Sequence, residues 1–314
     1  MRTQSLAILL AAVSAAAQDR TIKSDSTVAW VGFSKDGVML RAGCADLKMR
    51  EFDVASGVLR NSFGVAEGEF PAGVSPTGDL LAVRGKDGIA IVQSGKVLRR
   101  FPMNPPSRRV AIASDGQSIA GSIRVAGLSR EETMRFWDTG GKERFSAPGG
   151  VGGTSAIAIS PDGSALAAAG WDTNVRIWNA HNGELLKLIS DDLPVAMFDV
   201  AFTPDGKSLA AGGVDRTLYF WDAKTWKLER KLSGQPEMIR SLAFSADGRL
   251  LATGGFNDIA EKHPVSILLW DVASGKVLRT LSAPHMVTSV SLSPDGKLLA
   301  AASGDNLVRL WSLH

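Results

Sequence analysis

Cysteine, tyrosine and histidine are scarce in this chain: its 314 residues include one, one and four of them, and only 21% of the residues are charged. With Cys44 alone, no intramolecular disulfide can form, so packing must hold the fold together. His181, His263, His285 and His314 are scattered, with no spacing that gathers them round a metal, and neither a metal nor another cofactor is expected. The formal net charge of +3 is too small to argue for nucleic acid as a partner. No apolar run reaches the ~20 residues that a membrane-spanning helix needs. Catalytic signatures are missing too. The stretch Pro148-Gly149-Gly150-Val151-Gly152-Gly153-Thr154 lacks the Lys-Ser/Thr of a phosphate loop, and no G-x-S-x-G elbow occurs. The chain does not read as an enzyme.

What it has in plenty is repetition. Val195 to Gly234 reads as four short strands: Phe198 to Phe202, Ser208 to Ala211, Thr217 to Trp221 and Trp226 to Leu232, with Pro204-Asp205-Gly206 as the first turn. Val200, Phe202, Leu209, Leu218, Phe220 and Trp221 cannot all point one way on a period of two, so this small sheet is apolar on both faces and needs a neighbour on each side. The turn recurs with glycines at 37, 78, 116, 163, 206, 248 and 296, in steps of 41, 38, 47, 43, 42 and 48. Four-stranded propeller blades repeat at roughly 40 to 45 residues. A second marker keeps step: Phe52-Asp53, Val92-Gln93, Trp137-Asp138, Trp178-Asn179, Trp221-Asp222, Trp270-Asp271 and Trp311-Ser312. Seven turns and seven third-strand ends predict an all-β, seven-bladed propeller of four-stranded antiparallel blades. Cys44 stands in its repeat where Gly213 stands, and reads as a small buried filler.

Residues 1–17 differ in kind: Arg2, the apolar run Leu6 to Val13, then Ala15-Ala16-Ala17. A positive start, an apolar stretch of about 10 residues and an A-x-A site predict a secretory signal peptide cut near Ala17, and hence a periplasmic or secreted protein. Residues 18–314 then form a single domain. Its last repeat stops at the third strand, so residues 18–26 are expected to supply the outer strand of blade seven and close the ring.

From Thr21 to Leu313 the chain resembles the WD-repeat (WD40-type) β-propellers, and the leader suggests a bacterial-type, exported member. The resemblance rests on the S-P-D-G turns, the Trp-Asp strand ends, and Asp46, Asp172, Asp215 and Asp305 six residues before the aromatic, where they are expected as structural turn residues. It implies a non-catalytic scaffold that binds protein partners. Members of the family often join a His, a strand hydroxyl, that Asp and the Trp in a buried hydrogen-bond network. Here only His285 is placed at the His position, and Ala42, Ala168, Ala211 and Ala301 replace the hydroxyl, which predicts alanine packing instead of polar networks.

Two repeats are overlong between turn glycine and third-strand end: 21 residues from Gly116 to Trp137 and 22 from Gly248 to Trp270. The extra residues, 123–132 and 256–264, fall between the second and third strands, on the face that the family gives to the inter-blade connections. Candidate partner-binding residues lie on that face: Trp171, on a tight turn where other blades have small residues; Met197, Met238 and Met286, opening three successive blades as an apolar rim; Phe256 and His263 in the blade-six loop; and the arginines Arg100, Arg108, Arg109, Arg124 and Arg130 around blade three. Trp30, Asp199, Ser241 and Ser289 occupy matching innermost-strand positions and are candidates to line the channel. The expected function is a monomeric protein-interaction scaffold outside the cytoplasm, without nucleic acid or cofactor. The alternative is an extracytoplasmic enzyme or small-ligand sensor with its site at the channel mouth, near Asp199, Trp30 and the 256–264 loop.

Overall fold

Seven four-stranded antiparallel sheets follow one another along the chain. The computed structural model describes residues 19–313 except 65–69, 76–79, 86–87, 94–95, 103–106, 114–115, 117, 125–130, 139, 191–192 and 258–262. The leader at 1–17 lies outside the described residues. Among the described residues no helix is long and apolar enough to cross a membrane.

Blade five shows the common plan. Its strands are Met197–Phe202, Ser208–Gly213, Thr217–Asp222 and Leu228–Ser233, from the channel outward. The first turn is fixed by local chemistry: the Thr203 hydroxyl donates to Asp205 Oδ1 at 2.7 Å, the same oxygen accepts the Lys207 N–H at 3.1 Å, and Gly206 takes φ 71°, a left-handed conformation that a side chain would strain. Equivalent hydroxyl-to-carboxylate bonds hold the turns at Asp36, Asp162, Asp247 and Asp295, at 2.5 to 2.6 Å.

Among the described residues no blade has a core of its own. Buried side chains fall into seven clusters, and each bridges two neighbouring blades. Leu193, Met197, Val200 and Trp221 of blade five pack on Ala167, Val175 and Ile177 of blade four, whereas Ala210, Leu218 and Phe220, on the other face of the same sheet, pack on Ile239, Leu242 and Trp270 of blade six. Sheets can approach this closely because the second strands are built of small residues. A Cβ on Gly212 would sit 2.6 Å from Cγ2 of Ile239, and one on Gly254 would sit 2.5 Å from Cγ1 of Val287.

Blade seven is completed from the other end of the chain. Arg20–Lys23 pairs antiparallel with Leu307–Ser312, and Ile22, 4% exposed, enters one cluster with Val308 and Leu310 of blade seven and Phe33 and Leu40 of blade one. The closing strand is therefore residues 20–23, inside the expected 18–26. Buried Cys44 joins this same seam.

Blade six departs from the expectation of alanine packing. The Trp270 indole N–H donates to Thr253 Oγ1 at 3.0 Å, the Thr253 hydroxyl donates to Gln235 Oε1 at 2.7 Å, and the Gln235 amide donates to the Ser266 carbonyl at 3.0 Å. Gln235, ten residues before the turn serine at 245, takes the part expected of a histidine. His285 lies only eight before Ser293; its side chain is exposed, and only its backbone carbonyl meets Ser303 Oγ, at 3.4 Å. In blade five Ala211 replaces Thr253, and the buried Trp221 indole N–H finds no hydrogen-bond partner among the described residues.

Candidate functional site

Register shows which loops share an end of the ring. The first residue of each innermost strand pairs with the end of the second strand, as Met197 with Gly213 and Val287 with Ser303, so strand starts and second-to-third-strand loops share one end of the ring. In six blades the innermost strand carries a bulge there, at 29, 108, 155, 198, 240 and 288; blade two has its bulge two positions later, at 72, after Pro71. A bulge turns one residue out of the ladder and re-aims its side chain.

Phe198 is the bulge residue of blade five, and it organises this face. Trp171 of blade four meets its ring edge-on at 5.1 Å between centroids, Phe256 of blade six meets it at 6.2 Å, and the Arg240 guanidinium lies 5.7 Å from its centroid. Phe198 is itself buried and Phe256 half-buried, while Trp171 is 58% exposed. A row of three rings thus crosses three blades with its large indole open to solvent. The turn under Trp171 is anchored: Asp172 pairs with Arg176 at 2.7 Å and accepts the Val151 N–H at 3.1 Å.

The three methionines do not form one rim. Met286 is 39% exposed and Met238 half-buried, but Met197 is fully buried in the seam with blade four. It aligns with Ile239 and Val287, one position further into the strand than Met238 and Met286, and so points into the seam. His263 is exposed. Arg130 lies outside the described residues, as do the side chains of Arg108 and Arg124; Arg109 is half-buried at the channel.

Arg109 borders a cleft of about 300 Å3 between blades two, three and four, lined by Arg84, Arg109, Gly152, Gly153, Thr154 and Trp171. The loop that forms one side is fixed where the Thr154 N–H donates to Glu132 Oε2 at 2.8 Å.

The channel candidates turn out to be straps between blades. An innermost strand has one edge with no strand beside it, and its N–H groups there need acceptors. Asp199 Oδ2 accepts the Leu242 N–H of blade six at 2.7 Å, Ser241 Oγ accepts the Val290 N–H of blade seven at 3.1 Å, and Ser289 Oγ accepts the Val31 N–H of blade one at 3.3 Å. Trp30, at the matching place, is half-buried against Met49, Leu81 and Val83, and its indole nitrogen has no hydrogen-bond partner among the described residues. Asp46, Asp172 and Asp305 each hold the arginine four residues on, at 2.6, 2.7 and 2.5 Å, and Asp215 accepts the Tyr219 hydroxyl at 2.6 Å. All four carboxylates are thus bonded to a side chain four residues on within their own blade. Among the described residues no group of three His, Cys, Asp or Glu side chains is placed to hold a metal.

Residue reasoning on the sequence did not single out Phe198, Arg240, Arg84 or Thr154. Arg84 carried a usable signal. Counted from the turn, it stands where the other blades have Gly43, Ser122, Ala169, Gly212, Gly254 and Ala302.

Burial pushes the Asp199 carboxyl up to about 6, against the pull of the Leu242 and Val200 N–H groups and of Arg240 and Arg109. An unfolded aspartate titrates near pH 4, so the folded chain holds this proton more tightly, and its contribution to stability grows as pH falls from about 6 towards 4. Carbon-detected NMR of the Asp199 carboxyl is expected to give a midpoint near pH 6. A midpoint at or below 4 would show that the strap does not bury the charge.

A family model described as "WD domain, G-beta repeat" matches residues 144–179, 191–222, 226–259 and 275–312, which takes in the outer strand of blade three and blades four to seven in whole or part. A 67-residue segment is 34% identical to "Ribosome assembly protein 4" of Chaetomium thermophilum, covering 20% of this chain and 13% of that relative. The matched repeats, the seven sheets and the ring closure lead to one conclusion: the chain is a seven-bladed β-propeller that carries WD40 repeats.

Proposed function

We propose that this propeller is a monomeric, non-catalytic scaffold that works outside the cytoplasm and captures a protein partner on the face of the second-to-third-strand loops. One observation carries the reading: a 58% exposed tryptophan, braced by Phe198 and continuous with Phe256, on a rigid ring. Large exposed aromatics held in place by their neighbours are what interface hot spots are made of, because little entropy is lost when a partner covers them. WD40 propellers are commonly interaction scaffolds. The segment shared with the ribosome assembly relative, 67 residues, amounts to about a blade and a half at the usual repeat length, so it supports the repeat and not that protein's task. The residue pattern of 1–17, with Arg2, Leu6 to Val13 and Ala15-Ala16-Ala17, supports export. A small-ligand sensor is the second reading, favoured by the cleft that Arg84 and Arg109 line.

Replacing Trp171 with Ala is expected to weaken cross-linked capture of the partner from the native envelope by roughly 30-fold, the loss of one hot spot, while thermal melting stays near that of the parent. Unchanged capture, or a variant that unfolds, counts against the interface. For export, mass spectrometry of the chain recovered from its own host should find an N-terminus at Gln18 in the extracytoplasmic fraction. Recovery of a Met1-bearing chain in the cytoplasm would refute the localisation.

A further inference from the structure

We infer that the cleft between blades two, three and four binds a carboxylate, supplied by an acidic side chain or C-terminus of the segment that lies along the aromatic row. This rests on the reading of that face as a partner surface. The six described lining residues bring two positive charges, of Arg84 and Arg109, a threonine, an indole wall and no carboxylate. Gly152 and Gly153, at φ 96° and 117°, put bare backbone on one side. Each guanidinium carries five N–H donors in a planar fork, so one held by the protein along one edge can still grip a carboxylate along another.

The sequence has made room for both arginines. Arg109 occupies the place that is Trp30, Pro71, Ala156, Asp199, Ser241 or Ser289 in the other blades, none of them basic. The second-strand place of Arg84 is elsewhere reserved for small residues, because the next blade's innermost strand presses against it: at Gly212 and Gly254 the obstacles are Ile239 and Val287. In the blade that follows Arg84, the register position of Ile239 and Val287 is Ser107. An arginine for glycine with a serine for isoleucine is a paired exchange that gains nothing in apolar burial, and it sets a cation at the mouth of the channel.

Among the described residues, the two carboxylates bonded to the cleft's loop help to build it: Glu132 Oε2 accepts the Thr154 N–H, and Asp172 holds Arg176 and the Val151 N–H. The size, about 300 Å3, admits one side-chain-sized group. Trp171 continues the wall of the cleft into the row formed with Phe198 and Phe256, which suits a carboxylate borne on a peptide that also has apolar side chains.

The test uses the full chain, titrated with N-acetylglutamate and with inorganic phosphate while the amide signals of Gly153 and Thr154 are followed by NMR. N-acetylglutamate is expected to shift both amides saturably at millimolar concentration, and Arg84→Gln or Arg109→Gln to weaken that binding at least roughly tenfold. Lys207→Gln, which changes an exposed base in the turn at the opposite end of blade five, should leave it intact. No saturable shift, tighter binding of phosphate, or equal binding by the Arg84→Gln/Arg109→Gln pair would each overturn the inference. Partner capture separates this from the reading it rests on. If Trp171→Ala loses the partner while the arginine variants keep it, the carboxylate site is wrong and the partner surface stands; if N-acetylglutamate binds but Trp171→Ala captures normally, the partner surface fails and the anion site remains.

Discussion

Burial between blades is the interaction on which everything else in this molecule depends. Each sheet is apolar on both faces, so it gains little by folding alone and is stabilised only when a neighbour covers each side. A ring satisfies this for every blade at once, and among the described residues one seam cluster lies between each pair of neighbouring blades. It also explains the composition. Seams that tight require glycine and alanine in the second strands, and they leave little room for charge. The missing disulfide framework is no handicap to a chain large enough to bury this much surface.

The same constraint decides where function can sit. Seam positions are taken, and the turns at the opposite end are locked by their own aspartates, whose carboxyls at 36, 162, 205 and 247 are held below the usual range first of all by the neighbouring Ser or Thr hydroxyl. Freedom remains at the end where bulged innermost strands and long loops meet. There the ring breaks its own rules: a phenylalanine turned out by a bulge, an indole left in water, two arginines at places where no other blade has a base. Asp199 belongs to the rules and not to the exceptions, since its raised carboxyl is one of three acceptors that strap blade to blade.

Blade number, strand order and ring closure were legible because the turn and the Trp-Asp end recur with a period, and a period survives local noise. Side-chain direction near a bulge was not legible. Met197 looks like Met238 and Met286 by proximity to the strand start, yet a shift of one position takes it into the seam. His285 misleads for the same reason, being two residues off the place that Gln235 fills in blade six. Trp171 stood out because a large residue replaced small ones. Arg84 gave the same signal, six residues after its turn glycine where the other blades have small residues, but it lies in the blade with the fewest of the repeat's markers. Phe198 carried no signal: an apolar residue in an apolar strand reads as core until its partners are seen.

The central claim is that seams hold the ring and that the closing strand is part of one. Ile22 tests it most directly, since it lies far in sequence from the Val308 and Leu310 it packs with. Urea unfolding of Ile22→Asp, followed by tryptophan fluorescence and circular dichroism together, should show the whole molecule losing about 3 kcal/mol or more, the cost of placing an unpaired charge in a packed core. A midpoint equal to the parent's would contradict the account, because it would mean that the ring does not depend on being closed.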